Sequence, residues 1–168
     1  MRTLSIALAG NPNSGKTTLF NVLTGSSQLV GNWPGKTVEK RSGRFTAHGV
    51  AGEVVDLPGT YSLAAVSPEE SVARDYLLDE TPDVVILVLD ASNPERNLYL
   101  TVQVLELGIP CVVALNMTDT AAARGLAIDH ALLEARLGVP VIPTVARRRR
   151  GIDQLTTAVI NVATESIA

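Results

Sequence analysis

The stretch Gly10-Asn11-Pro12-Asn13-Ser14-Gly15-Lys16-Thr17 has the residue types and spacing to hold a phosphate chain. It satisfies G-x-x-x-x-G-K-[ST] at every fixed position. The glycines let the backbone curl until successive N–H groups face one concavity, which suits an anion. Lys16 can then reach β- and γ-phosphates, the Thr17 hydroxyl can ligate Mg²⁺, and Thr18 beside it joins the nucleotide-binding set. A helix starting here adds the positive end of its dipole. Two further carboxylates are spaced for the same chemistry. Asp56, in Asp56-Leu57-Pro58-Gly59, fits D-x-x-G: Asp56 would hold Mg²⁺ through a water, and the Gly59 N–H would meet the γ-phosphate. Asp119, in Asn116-Met117-Thr118-Asp119, fits N-x-x-D. Its carboxylate can accept from both N1–H and the 2-amino group of guanine, two donors that adenine lacks. Asn116 can brace that loop and approach N7.

Between the first two motifs, Val30-Gly31-Asn32-Trp33-Pro34-Gly35-Lys36-Thr37-Val38-Glu39-Lys40 is rich in loop residues and is expected to be mobile. Gly35, Lys36 and Thr37 are its candidate nucleotide contacts, with Thr37 completing the Mg²⁺ shell. Trp33 either anchors this loop by burial or takes part in recognition.

The motifs need strands that end beside them. Apolar runs predict strands at 3–9, 50–56, 84–90, 110–116 and 139–143, with a further strand near 37–47 forming a hairpin with 50–56. Helical spacing predicts helices at 15–24, 94–107, near 129–137, and from about 152. In the 94–107 helix, Leu98, Val102 and Leu105 are spaced for the core. Ser67-Pro68-Glu69-Glu70 reads as a helix start, with Ser as cap and Pro in the first position. Alternating strands and helices give an α/β fold: a mainly parallel six-stranded sheet with one antiparallel strand and helices on both faces. Ligands of such sheets bind at the carboxyl ends of the strands, where all three motifs fall. Mobile loops are expected at about 28–40 and 59–75.

With 168 residues, 46% of them hydrophobic, the chain can form one domain with a full core, and it shows no internal boundary. A net charge of −3 disfavours nonspecific nucleic-acid binding. The single cysteine, Cys111, falls in a strand and is expected to be a buried thiol. The start Met1-Arg2-Thr3 lacks a signal-peptide pattern, and the run Val84 to Leu89 is too short to span a bilayer, so no direct membrane insertion is expected. His48 and His130 have no metal-ligand spacing with Cys111. Arg147-Arg148-Arg149-Arg150 is either a solvated loop tip or a contact to the base side of a nucleotide or to anionic lipid.

Four segments together resemble one family. They are Gly10 to Asn21, Val30 to Lys40, Val55 to Leu63, and Asn116 to Asp119; Asn32-Trp33-Pro34-Gly35 followed by Thr37-Val38-Glu39-Lys40 is the most family-specific. The chain resembles, over essentially all of its length, the amino-terminal G domain of the ferrous iron transport protein B family of the bacterial inner membrane. The resemblance implies a Ras-like P-loop GTPase domain over residues 1–168, with GTP or GDP and Mg²⁺ as ligands. It also implies K⁺ stimulation, because the family's potassium-binding asparagine falls on Asn11; loop geometry is the alternative role for Asn11. Lys16, Thr37 and Gly59 would complete the catalytic set. A helical regulatory segment and membrane helices are implied as the rest of the protein, so this chain is expected to be a fragment at the cytoplasmic face. Small iron-transport accessory proteins are further candidate partners.

The sequence departs from the general pattern in places. Lys36 stands where an apolar or small residue is usual. Met117 replaces the lysine that flanks guanine in most GTPases, and Thr118 beside it is unusual, so tight affinity is not expected. Val145-Ala146-Arg147 occupies the last base-contacting loop, where Ser-Ala-Lys is general; Ala146 can still offer its N–H to guanine O6, but Val145 has lost a stiffening hydroxyl. Thr60 follows Gly59 in place of the water-orienting glutamine of Ras-like enzymes, which predicts slow intrinsic turnover. Tyr61 is expected to pack under its loop rather than to help. The rival readings are a slow GTP/GDP binding switch with negligible catalysis and a ribosome- or RNA-associated GTPase.

Overall fold

The computed structural model describes residues 2–167; Met1 and Ala168, the ends of the expected domain, lie outside the described residues. Seven strands among them form one sheet. These are β1 (Leu4–Gly10), β2 (Gln28–Asn32), β3 (Glu39–Ala47), β4 (Val50–Asp56), β5 (Val84–Asp90), β6 (Cys111–Asn116) and β7 (Val141–Pro143), in the order β2-β3-β4-β1-β5-β6-β7. The helices are α1 (Lys16–Thr24), α2 (Pro68–Asp79), α3 (Pro94–Glu106), α4 (Thr118–Ala123), α5 (His130–Leu137) and α6 (Ile152–Ile167).

The central strands are apolar on both faces because helices cover both. Their side chains divide with a period of two. Ala7 and Ala9 of β1, Val85, Leu87 and Leu89 of β5, and Cys111, Val113 and Leu115 of β6 face α2, α3, α4 and α5. Ile6 and Leu8, Ile86 and Val88, and Val112 and Ala114 face α1 and α6. On α6, Leu155, Val159 and Ala163 are buried, as a stripe of three- and four-residue steps requires. Helix starts follow local chemistry. Ser67 Oγ accepts from the Glu70 N–H with Pro68 in the first turn, and Asp129 Oδ1 accepts from the Leu132 N–H.

The sheet has seven strands where six were expected. The extra strand, β2, lies in the stretch expected to be mobile. It pairs antiparallel with β3 from Gln28↔Gly43 to Asn32↔Glu39. Gly31 and Asn32 carry a loop composition, but the neighbouring strand supplies hydrogen-bond partners that composition cannot reveal. The Gln28 amide also bonds Asn21 Oδ1 at 2.8 Å, which ties β2 to α1. β3 is antiparallel to both neighbours and is the one antiparallel strand. The second expected loop is irregular to Ser67 and helical from Pro68.

α3 is turned from its expected face. Asn97, Leu100, Thr101 and Val104 are buried, Leu98 and Leu105 are partly buried, and Val102 is 43% exposed. Two polar residues can occupy the buried face because each finds a local partner. Asn97 bonds the Asp90 N–H and the Asn93 carbonyl, and the Thr101 hydroxyl donates to the Asn97 carbonyl. A purely apolar stripe misplaces such a face.

Cys111 is buried as expected, and burial pushes its thiol from 9.0 up to about 12. A thiol whose folded pKa is raised contributes stability that is full below the unfolded value and is lost as pH rises through the folded one. The stability difference between wild type and Cys111→Ala, measured by urea unfolding, is therefore expected to shrink steadily between pH 9.0 and about 12. A thiol reagent should label Cys111 only once the chain unfolds.

Candidate nucleotide site

The site lies where β1, β4, β5 and β6 end together. Parallel pairing of β1 with β4 sets Leu8 beside Asp56, and pairing of β5 with β6 sets Asp90 beside Asn116. After β1 the chain turns through Gly10 to Gly15 and enters α1 at Lys16. Asn13 (φ 67°) and Gly15 (φ 86°) both take left-handed backbone. Gly15 has a second reason to be glycine. A Cβ there would collide with Asn116 Nδ2.

Lys16 is buried, and its Nζ donates to Asp56 Oδ1. Burial pushes the Asp56 carboxyl above its ordinary range, and the facing Lys16 ammonium pulls the other way. Arg41, opposite Asp56 across β3 and β4, adds a weaker pull in the same direction as Lys16. Beyond Asp56 the chain is drawn against the phosphate loop. Leu57 N–H donates to the Leu8 carbonyl at 2.9 Å and Thr60 N–H to the Gly10 carbonyl at 3.2 Å. A Cβ on Gly59 would lie 3.2 Å from the Pro12 nitrogen, so Gly59 sits directly against the loop.

Asn116 joins the two ends of the site. Its Nδ2 donates to the Ser14 carbonyl (3.1 Å), and its Oδ1 accepts from the Thr144 hydroxyl (3.1 Å) and the Ala146 N–H (3.0 Å). Met117 follows in left-handed backbone (φ 62°) and Asp119 lies in the first turn of α4, a short helix that the sequence did not reveal. A cavity of about 310 Å³ opens between these elements. Asn13, Gly15, Thr18, Asn116, Met117 and Asp119 line it from one side, and Val145, Ala146 and Arg147 from the other.

The last loop differs from expectation in two respects. The Ala146 N–H, expected to face guanine O6, is engaged by Asn116. The loop lacking a hydroxyl at Val145 is held instead by paired backbone bonds between Val145 and Arg150, both 3.1 Å. Arg147 leaves the exposed arginine run and donates from Nη2 to Asp119 Oδ2, which holds that carboxyl below its ordinary range.

Several other candidates face solvent. Thr17 is exposed in the first turn of α1, and Gly35 and Thr37 are exposed between β2 and β3. Lys36 lines a separate groove of about 560 Å³ with Trp33, Pro34, Lys40 and residues of α2. Trp33 itself is buried, 5.6 Å edge-on from Tyr76, and Lys40 lies 4.8 Å from its ring centroid, so burial anchors this loop. Tyr61 does not pack beneath its loop. It is 41% exposed under the Arg96 guanidinium, 4.4 Å away. Thr144 and Arg96 were not among the expected site residues. Thr144 was discoverable as the residue after a strand end; nothing in the sequence marks Arg96, whose carbonyl accepts from Asn11 Nδ2 at 3.0 Å.

The donor sets fit the ions the motifs imply. Asn11 Oδ1 is buried and has no hydrogen-bond partner among the described residues, an orphaned oxygen suited to a weakly hydrated cation. Asp56 and the hydroxyls of Thr17 and Thr37 are the hard oxygen ligands that Mg²⁺ takes. No cluster of three His, Cys, Asp or Glu side chains able to hold a metal occurs among the described residues. No helix among them is long and apolar enough to cross a membrane.

Residues 4–159 match the family of ferrous iron transport protein B. The Fe(2+) transporter FeoB of Escherichia coli K12 is 56% identical over 163 residues, which is 95% of this chain and 21% of that protein. The chain thus spans about a fifth of the curated relatives it matches. A GDP-bound mutant of the S. thermophilus FeoB G-domain superposes with a TM-score of 0.93 at 49% identity, covering 99% of this chain and 64% of that one. The FeoB G-domain of Methanococcus jannaschii superposes at 0.87 and 44% identity, covering 98% and 99%. A phosphate loop, a D-x-x-G turn and an N-x-x-D pocket on one Ras-like sheet agree with these likenesses, and the chain belongs to the ferrous iron transport protein B family, matching its G-domain region.

Proposed function

We propose that this chain is the GTP-binding and GTP-hydrolysing G domain of a ferrous iron transporter, with residues 1–168 as one domain. The observation that carries this is the Asn116 carboxamide, which joins the phosphate loop at Ser14 to the Ala146 loop beside the cavity and so holds the two parts of the site together. GDP is bound in the related S. thermophilus domain, which supports a guanine nucleotide here. Gly10 to Thr18 would cradle the phosphates, and Asn116, Met117, Asp119 and the Val145–Arg147 loop would hold the base. Lys16 would turn from Asp56 to the β- and γ-phosphates, leaving Asp56 to hold a magnesium-bound water. The Gly59 N–H, held against Pro12, would face the γ-phosphate. Thr17, Thr37 and Asp56 would hold Mg²⁺ and Asn11 would hold K⁺; when bound, these ions supply positive charge to the transferring phosphoryl group.

Turnover is expected to be slow, because Thr60 is buried and bonded through its backbone to Gly10 and cannot span to an attacking water. The stretches 28–40 and 59–75 would respond to the nucleotide and pass its state to a helical regulatory segment and a membrane domain. The domain would work at the cytoplasmic face of the inner membrane, with small iron-transport accessory proteins as further partners. The family membership favours this over a ribosome- or RNA-associated GTPase, and a turnover rate separates it from a slow binding switch.

GTP turnover in potassium chloride is expected to exceed that in sodium chloride at equal ionic strength, and Asn11→Ala should abolish the difference. Equal rates in the two salts would remove the cation role of Asn11. Asn116→Ala deletes three buried hydrogen bonds and is expected to destabilise the domain by about 2–4 kcal/mol in urea unfolding. It should also weaken GDP binding at least about tenfold, since both loops lose their common anchor. Unchanged GDP affinity in Asn116→Ala would sever base recognition from this anchor.

A further inference from the structure

The Asp119 carboxylate already carries a donor on one of its two oxygens. Arg147 Nη2 donates to its Oδ2, and both residues line the base cavity. We infer that Arg147 is a specificity-determining residue that extends the base pocket from guanine to xanthine nucleotides. This rests on the guanine-nucleotide reading of the same site. Guanine offers two donors to the aspartate, N1–H and the 2-amino group, and needs both carboxylate oxygens. Xanthine keeps N1–H but has a carbonyl oxygen at C2. Against a bare aspartate that oxygen would oppose Oδ2, acceptor facing acceptor, and such a mismatch is what lets a polar site reject a near-isostere.

Arg147 alters the pattern. A guanidinium carries five N–H donors and no acceptor. Lying on Oδ2, it can share one face with the carboxylate and offer another N–H to the xanthine C2 oxygen, while Oδ1 accepts N1–H. The pocket then presents one acceptor and one donor, the complement of xanthine. Xanthine is also more acidic than guanine, and a cationic neighbour favours its anionic form. The same pairing keeps Asp119 charged, since Arg147 lowers its pKa. Guanine remains a ligand because the arginine can withdraw. Its side chain is 64% exposed, against 19% for Asp119, so water screens the pair and hydrates the guanidinium once it leaves the carboxylate. Arg147 occupies the position where the general pattern has lysine. A lysine there offers a single point charge rather than a planar fork able to serve two oxygens at once.

The test is competition of GDP and XDP against a fluorescent GDP analogue on wild type, Arg147→Ala and Arg147→Lys. XDP is expected to displace the probe from wild type. In Arg147→Ala the preference for GDP over XDP should widen by about tenfold or more, the scale on which a lost polar partner is read. Arg147→Lys, which keeps a donor, should fall between the two. GDP displacement without XDP displacement in wild type, or an unchanged preference in Arg147→Ala, would overturn this inference alone. Equal preferences in the alanine and lysine variants would overturn the donor role. Failure of both nucleotides to displace the probe would take the guanine-nucleotide reading down with it. Arg147 is on the surface, and thermal melts of the variants verify that each is folded.

Discussion

Much of the site depends on one buried carboxamide. Asn116 is 2% exposed and uses both ends of its side chain. Its partners belong to the loop after β1 and the loop after β7, strands separated in the sheet by β5 and β6. Neither loop is held in this arrangement by its own strand. The sheet delivers their roots to one edge, and Asn116 fixes their tips. An amide in a dry site cannot give up these bonds cheaply, because each released group would be left unpaired. Gly15 is the counterpart of this constraint: the approach of Asn116 leaves no room for a Cβ.

On the phosphate side the constraint is electrostatic. Lys16 and Asp56 are both buried, and each is tolerable there because of the other. Removing one would strand a charge, so the pair holds β4 and α1 in register around the loop. Under the proposed function, a phosphate would have to exchange with this pair. A ligand bringing its own negative charge would replace the carboxylate at Lys16, and a divalent cation would replace the ammonium at Asp56. A buried ion pair that both parts of one ligand can take over is stable without being locked.

The sequence made the strand-end motifs legible because each is local. A phosphate loop between a strand and a helix, a D-x-x-G turn and an N-x-x-D turn carry their chemistry within a few residues, and the 84–90 strand is where the apolar run put it. What it hid depends on partners distant in the chain. β2 exists because β3 supplies a ladder to Gly31 and Asn32, residues that by themselves argue for a loop. The Ala146 N–H looked available until Asn116, thirty residues earlier, was found to occupy it. The sequence placed Arg147 in the last base-contacting loop, but its pairing with Asp119, twenty-eight residues earlier, is visible only in the fold.

The irregular segment between β2 and β3 is correspondingly shorter than its composition suggests. Pairing runs to Asn32 and resumes at Glu39, and the turn between is closed by bonds from the Trp33 N–H to the Val38 carbonyl and the Lys36 N–H to the Trp33 carbonyl. Trp33 then plugs this turn into the same core as Val72 and Leu77 of α2, edge-on to Tyr76. α2 begins where the irregular stretch after Gly59 ends. A displacement of the turn that carries Thr37 must therefore move Trp33 against α2 or withdraw its ring from the core. Withdrawing an aromatic ring of this size exposes a large apolar area, at a cost of about 1.5–3 kcal/mol. The turn between β2 and β3 and helix α2, which begins where the stretch after Gly59 ends, thus share one packing element, and the turn cannot move far without disturbing α2.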